Sequence, residues 1–147
     1  MNKINVGRVL LGGLVAGVVL NIGETLFNVV LFADQMRAFF DRLGVPEPGN
    51  NFIVVAVVLT FALGILIVWL YAMIRPRYGP GPKTAVCAAL IVWFCICIYC
   101  GTFNFLLLRV PTNIMVIGLA WCLVEYVLAA IAGAWLYKEE AGHVPAA

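Results

Sequence analysis

Charge is scarce in this sequence, and so are the residue sets that enzymes assemble for polar catalysis. Of its 147 residues, 65% are apolar and only 11% are charged. Histidine occurs once, as His143 near the end of the chain. This excludes haem ligation by histidines inside the apolar segments and leaves no zinc or carboxylate–histidine di-metal motif there. Serine is absent, so there is no Ser/His/Asp set and no nucleophile elbow. A phosphate-binding loop and the arginine ladder of a voltage sensor are likewise missing. A net charge of +2 gives no electrostatic footprint for nucleic acid. The expectation is a protein without cofactor or metal and without enzymatic activity.

What fills the chain instead is long apolar sequence, with a mean hydropathy of +1.07. An uninterrupted stretch of about 18 apolar residues is long enough to cross a bilayer as a helix. Four such stretches occur, at 9–33, 52–74, 84–108 and 112–137. In hydrocarbon every backbone polar group must be satisfied within the protein, and runs this long suit helices, not the ten-residue strands of a barrel. The expected fold is therefore all-α: a polytopic, four-transmembrane-helix bundle forming one membrane-embedded domain over 1–147. Lys3 and Arg8 ahead of an apolar stretch resemble a signal peptide, but that stretch continues to Ala33 with no small-residue cleavage site, so it reads as an uncleaved first span.

Basic residues set the expected orientation. With the N-terminus inside, Lys3, Arg8, Arg75, Arg77, Lys83 and Lys138 are cytoplasmic, and Arg37, Arg42 and Arg109 are outside. Six against three favours both termini in the cytoplasm. Trp69, Tyr71, Tyr78, Trp135 and Tyr137 gather at the same interface, where amphipathic rings prefer to sit. In the outer loop, Met36, Phe39, Phe40 and Leu43 recur at helical spacing opposite Asp34, Arg37, Asp41 and Arg42. Segment 34–43 is thus a short amphipathic helix in the interface or an extension of the first span. Gly44-Val45-Pro46-Glu47-Pro48-Gly49-Asn50 ends it. The connection at 75–83 is basic and rich in proline, and Arg109-Val110-Pro111 forms a tight turn. The tail from Glu139 is polar and expected to fray. Phe27-Asn28-Val29-Val30-Leu31 weakly echoes Phe103-Asn104-Phe105-Leu106-Leu107, as parallel repeats do in some transporters.

Two carboxyls break the apolar pattern. Glu24 and Glu125 each lie alone in a span with no lysine or arginine for company. An ionisable group at such depth is by default a functional-site hypothesis. At 100° per residue, Gly13, Gly17, Asn21, Glu24 and Asn28 share an arc of about 80°. Gly13 and Gly17 form a close-packing motif, and the polar residues continue its face outward. In the fourth span Gly118, Glu125, Ala129, Ala132 and Leu136 share a face, so Glu125 is expected to point into the bundle. At ~1.5 Å per residue the two acids lie roughly 14 and 20 Å from the outer ends of their spans, close enough in depth to approach each other. Burial without a basic partner favours the neutral acid, and two close carboxyls favour it further, so at least one is expected to be protonated at neutral pH. The candidate polar centre is Glu24, Glu125, Asn21, Asn28 and Asn104, with Gly13, Gly17 and Gly118 as packing residues.

Cys95-x-Cys97-x-x-Cys100 in the third span, with Cys122 in the fourth, has the look of a soft-metal ligand set. On a helix, however, Cys95 and Cys97 point about 200° apart and cannot chelate one ion together. Buried cysteine is a small hydrophobe, and packing is the expected role. Thr60 and Gly64 mark the inward face of the second span, with Thr60 bonding its own backbone.

Lys3-Ile4-Asn5-x-Gly7-Arg8-Val9-Leu10-x-Gly12-Gly13-Leu14-x-Ala16-Gly17, followed by Asn21-Ile22-Gly23-Glu24, resembles a family of small bacterial membrane proteins with four predicted spans. The resemblance is carried by about the first thirty residues. It implies a bacterial inner-membrane location and names no catalytic residues. A mid-membrane glutamate in the first of four helices is also physically similar to small multidrug transporters, although their sequence pattern around the acid is not found here. Three roles compete on these observations. The first is binding or transport of a small cation, protonatable solute or lipid at the carboxyls. The second is a structural role as a homo-oligomer or as a subunit of a larger membrane assembly. The third, lipid-modifying catalysis, is disfavoured because both acids are deep and lack a nucleophile.

Overall fold

A computed structural model describes residues 4–138. Five helices account for nearly all of them: α1 (Val6–Leu31), α2 (Ala33–Leu43), α3 (Asn50–Tyr78), α4 (Pro82–Leu107) and α5 (Thr112–Leu136). Four of these, α1, α3, α4 and α5, are long and apolar enough to cross a membrane. The protein is an all-α four-helix membrane bundle with α2 as a short amphipathic addition. Lys3 and the tail from Glu139, including His143, lie outside the described residues.

Local sequence explains where the helices begin and end. The Asn5 side chain accepts a hydrogen bond from the Arg8 amide at 3.0 Å, capping α1. α2 stops at Gly44, whose φ of 65° places it in the left-handed region that glycine tolerates. Pro82 opens α4 at a position where its missing amide proton costs nothing. The connection expected over 75–83 is shorter in the structure, because α3 runs through Pro76 to Tyr78. Proline removes one amide donor, but the turn is held by the Gly79 amide donating to the Arg75 carbonyl at 2.8 Å. The Thr84 hydroxyl then donates to the Gly79 carbonyl at 2.7 Å, and the Gly81 amide donates to the Tyr71 hydroxyl at 3.3 Å. Tyr71 meets Tyr137 edge to face at the same end of the bundle, and the Arg75 guanidinium lies 5.5 Å from the centre of the Tyr137 ring.

The spanning helices are arranged so that α1 packs on α3 and α5, and α4 packs on α5 and α3. Lipid tails are as apolar as leucine, so helices in a bilayer associate through close van der Waals fit and not through escape from water. The small residues supply that fit. A Cβ on Gly64 would strike the backbone of Gly17 and Gly13, and one on Gly13 would stand 2.5 Å from the Ile65 Cα. A Cβ on Gly12 would likewise stand 2.5 Å from the Gly133 carbonyl oxygen. The Gly13 and Gly17 face is thus occupied by α3 of the same chain. Around it Val9, Ala16, Leu20, Ile67, Val68, Ala88 and Ala129 are essentially fully buried.

This tight packing belongs to the half of the bundle away from α2. Toward α2 the helices separate: of residues 50–59 in α3, all but Ala56 are exposed on the protein surface.

Gly64→Ala is expected to destabilise the bundle by about 1–3 kcal/mol, the usual cost of overpacking. Gly49→Ala, with nothing within 4 Å of its added methyl, is the control. Equilibrium unfolding in mixed detergent micelles measures both, and equal stabilities would contradict the close approach of α1 and α3.

Candidate functional site

Where the helices part, two of them also change winding. Residues Leu26–Leu31 of α1 and Phe94–Gly101 of α4 are π-helical. In α1 the widened turn closes with the Phe32 amide donating to the Phe27 carbonyl, five residues back, at 2.9 Å. Such segments are rare and frequently mark functional sites, because they widen the helix and rotate side chains relative to the regular helical face. Both π segments border the same partly open cavity, with a volume of about 620 Å³.

The cavity walls come from α1, α2, α4 and α5. The lining is mostly apolar, and six of its residues are aromatic: Phe27, Phe32, Phe39, Phe105, Trp121 and Tyr126. Phe27 stacks on Phe32 with ring centres 4.5 Å apart and meets Trp121 at 5.7 Å. Polar groups are few. Glu24 and Asn28 present the carboxyl end, while Gln35, Arg42 and Asn104 lie toward α2.

The sequence-predicted polar residues divide between this cavity and its surroundings. Asn28 Nδ2 donates to Glu24 Oε2 at 2.9 Å and to the Glu24 backbone carbonyl at 3.0 Å. Half-buried Glu24 is thus held by a side chain one turn away, with room for a ligand beside it. Asn104 lines the cavity, with its Nδ2 donating to the Cys100 carbonyl at 2.8 Å. Gly118 also lines it, meeting the rings of Phe27 and Phe105 instead of a helix backbone. Asn21 is elsewhere: its Nδ2 turns back along α1 to the Gly17 carbonyl at 2.8 Å.

Glu125 lies behind the cavity wall and is only 4% exposed. Its carboxyl rests against Gly23, where an added Cβ would stand 2.5 Å from Glu125 Cδ. Gly23 therefore gives the acid its space, and the adjacent residue in the chain is Glu24. The two carboxyls interact electrostatically, but neither oxygen of Glu125 has a hydrogen-bond partner. Trp121 stands four residues earlier on α5. Its buried indole nitrogen stands close to the Glu125 carboxyl as a hydrogen-bond donor, short of a well-formed bond.

Three contacts of the site do not follow from helical periodicity alone. Arg42 reaches from α2 to the end of α4 and donates to the carbonyls of Arg109 at 3.0 Å and Leu108 at 3.1 Å. It satisfies carbonyls left free where that helix stops, and its guanidinium also lies over the Phe39 ring at 5.3 Å. Trp93 Nε1 donates to the Leu119 carbonyl at 3.0 Å, tying α4 to α5 beside the cavity. Cys97 and Cys122 approach each other across the same two helices near Tyr126, and all five cysteines are free thiols. Periodicity shows which residues share a face but not which distant carbonyl an arginine will reach. Among the described residues, no group of three or more Cys, Asp, Glu or His side chains is placed to hold a metal ion.

No protein-family model, curated protein or solved structure matches this chain.

Arg42→Ala is expected to loosen α2 from the α4–α5 turn at a cost of ~1 kcal/mol, as for a partly solvated hydrogen bond to a charged group. Amide hydrogen exchange over 33–43 should then accelerate several-fold, and unchanged protection would contradict the role given to this contact.

Proposed function

We propose that this protein binds small lipophilic cations or amines within the membrane, with Glu24 as the counter-charge and the aromatic walls as the apolar receptor. The observation that carries this reading is the cavity itself: about 620 Å³, mostly apolar, with the Glu24–Asn28 pair as its deep polar feature. Pockets for small organic ligands fall in this range and share this composition, a hydrophobic lining with a few placed polar groups. Aromatic faces attract organic cations, and the attraction is strongest where water is excluded. Arg42, the basic residue in the lining, is committed to two carbonyls and an aromatic ring near α2. That leaves the Glu24 region acidic.

A purely structural role gives no reason for an open volume of this size. The glycine faces that could have joined two copies are instead used within the chain, which weakens the case for a packing subunit. Six basic residues at the end of the bundle that carries both termini, against three at the other end, support an orientation with both termini in the cytoplasm. A bacterial inner membrane is what the resemblance over about the first thirty residues implies. The cavity then opens in the outer half of the bilayer, and a ligand captured there could be moved across it.

Binding of tetraphenylphosphonium to protein in lipid nanodiscs tests the proposal. Saturable binding is expected, and Glu24→Gln should weaken it at least about tenfold because the buried counter-charge is lost. Uptake into proteoliposomes under a pH gradient should fall in parallel. If Glu24→Gln changed unfolding but left cation binding intact, the acid would be a packing residue and the proposal would fail.

A further inference from the structure

Behind the cavity wall lies a group that cation binding does not by itself explain. Glu125 is nearly inaccessible and faces a space made for it by Gly23, with no hydrogen bond to either oxygen. We propose that Glu125 is held as a neutral acid, so that the Glu24–Glu125 pair carries one negative charge and the cavity selects monocations over dications. This inference rests on the cation-binding reading and specifies the ligand's charge.

The surroundings of Glu125 argue for the neutral form. The ionisable groups facing it are Glu24 from α1, Cys97 from α4, and Cys122 on its own helix. All three lose a proton to become negative, so none can compensate a carboxylate. The basic residues of the described chain are elsewhere. Arg42 is tied to the end of α4, and Arg75 on α3 lies against Tyr137 at the opposite end of the bundle. A buried carboxylate survives only when it is paired or receives several hydrogen bonds. One donor, the Trp121 indole, stands near the carboxyl, and a single weak contact from it falls short of the several hydrogen bonds a buried carboxylate requires. Glu24 differs in two respects: it borders the cavity, where a bound cation can pair with it, and it accepts a hydrogen bond from Asn28. With a cation beside it, Glu24 is the acid placed to carry the charge, and Glu125 is not.

The consequence is electrostatic. A monocation beside ionised Glu24 leaves the buried site neutral. A dication leaves one uncompensated positive charge among aromatic walls, which a low-dielectric interior penalises heavily. Were both acids ionised, the preference would reverse. Glu125 thus acts as a specificity-determining residue by staying uncharged, without touching the ligand.

Two probes of nearly identical shape separate these cases: 1-methyl-4-phenylpyridinium, with one charge, and methyl viologen, with two. Binding of each to wild-type protein in nanodiscs should favour the monocation by at least about a hundredfold. A second measurement is infrared spectroscopy of Glu24→Gln protein at pH 7, where Glu125 is the only carboxyl left in the four spans. A protonated-carboxyl band that shifts in heavy water is expected. Methyl viologen binding as tightly as its partner, or absence of that band, would overturn the proposal. If neither probe bound the wild type while the band was present, the cation-binding reading would fall and the selectivity with it, leaving only the neutral acid.

Discussion

Backbone-to-backbone contact at glycine is the constraint on which the rest of this structure depends. Gly12 and Gly13 on α1, Gly64 on α3 and Gly133 on α5 bring helices together closely enough that an added methyl would meet backbone or Cβ-level atoms. In a bilayer this fit replaces the hydrophobic effect as the source of cohesion. Because these glycines all lie in one half of the bundle, the helices are drawn together there and diverge in the other half. The diverging half cannot be filled by the same small residues. It is lined instead by large aromatic rings, by two π-helical segments and by α2, and between them a ligand-sized volume stays open.

The same geometry gives two similar acids different environments. Glu24 stands just past the last tight glycine contact of α1, where the helix enters its π segment, and so borders the cavity. Glu125 points from α5 into the close-packed side, and the missing side chain of Gly23 makes room for its carboxyl. A larger residue at 23 would push the two apart. The glycine that permits the helix contact thereby also sets the spacing of the acids. Arg42 and Trp93 complete the open end by fastening α2, α4 and α5 to one another through backbone carbonyls, so the cavity has a defined wall and not merely a gap between splayed helices.

Much of the fold was legible in the sequence because bilayer thickness and hydrogen-bond satisfaction leave so few alternatives. The four runs correspond to four helices with ends displaced by a few residues, most clearly where α3 continues through Pro76. A 3.6-residue period places Gly13, Gly17, Asn21, Glu24 and Asn28 on one face, and the structure divides that face: Gly13 and Gly17 meet α3, while Glu24 and Asn28 border the cavity. What that period could not convey is where regular winding stops. Once α1 becomes π-helical at Leu26, extrapolation along a straight helix loses its meaning. Nor does a period show that Asn21, in the regular part of the helix, turns to the Gly17 carbonyl while Asn28 turns to Glu24. Gly118 has the composition of a packing residue, and what lies nearest to it is the rings of Phe27 and Phe105 at the cavity, not a helix backbone. Arg42 matters through partners distant in the chain, and that property has no local signature.

The central claim is that Glu24 faces an accessible cavity while Glu125 is sealed behind its wall. Solid-state NMR of selectively carbon-13-labelled protein in lipid, with magnetisation transferred from water to the side-chain carboxyl carbons, tests this most directly. Rapid transfer to Glu24 and little or none to Glu125 is expected. Equal transfer to both, or transfer to Glu125 alone, would contradict it.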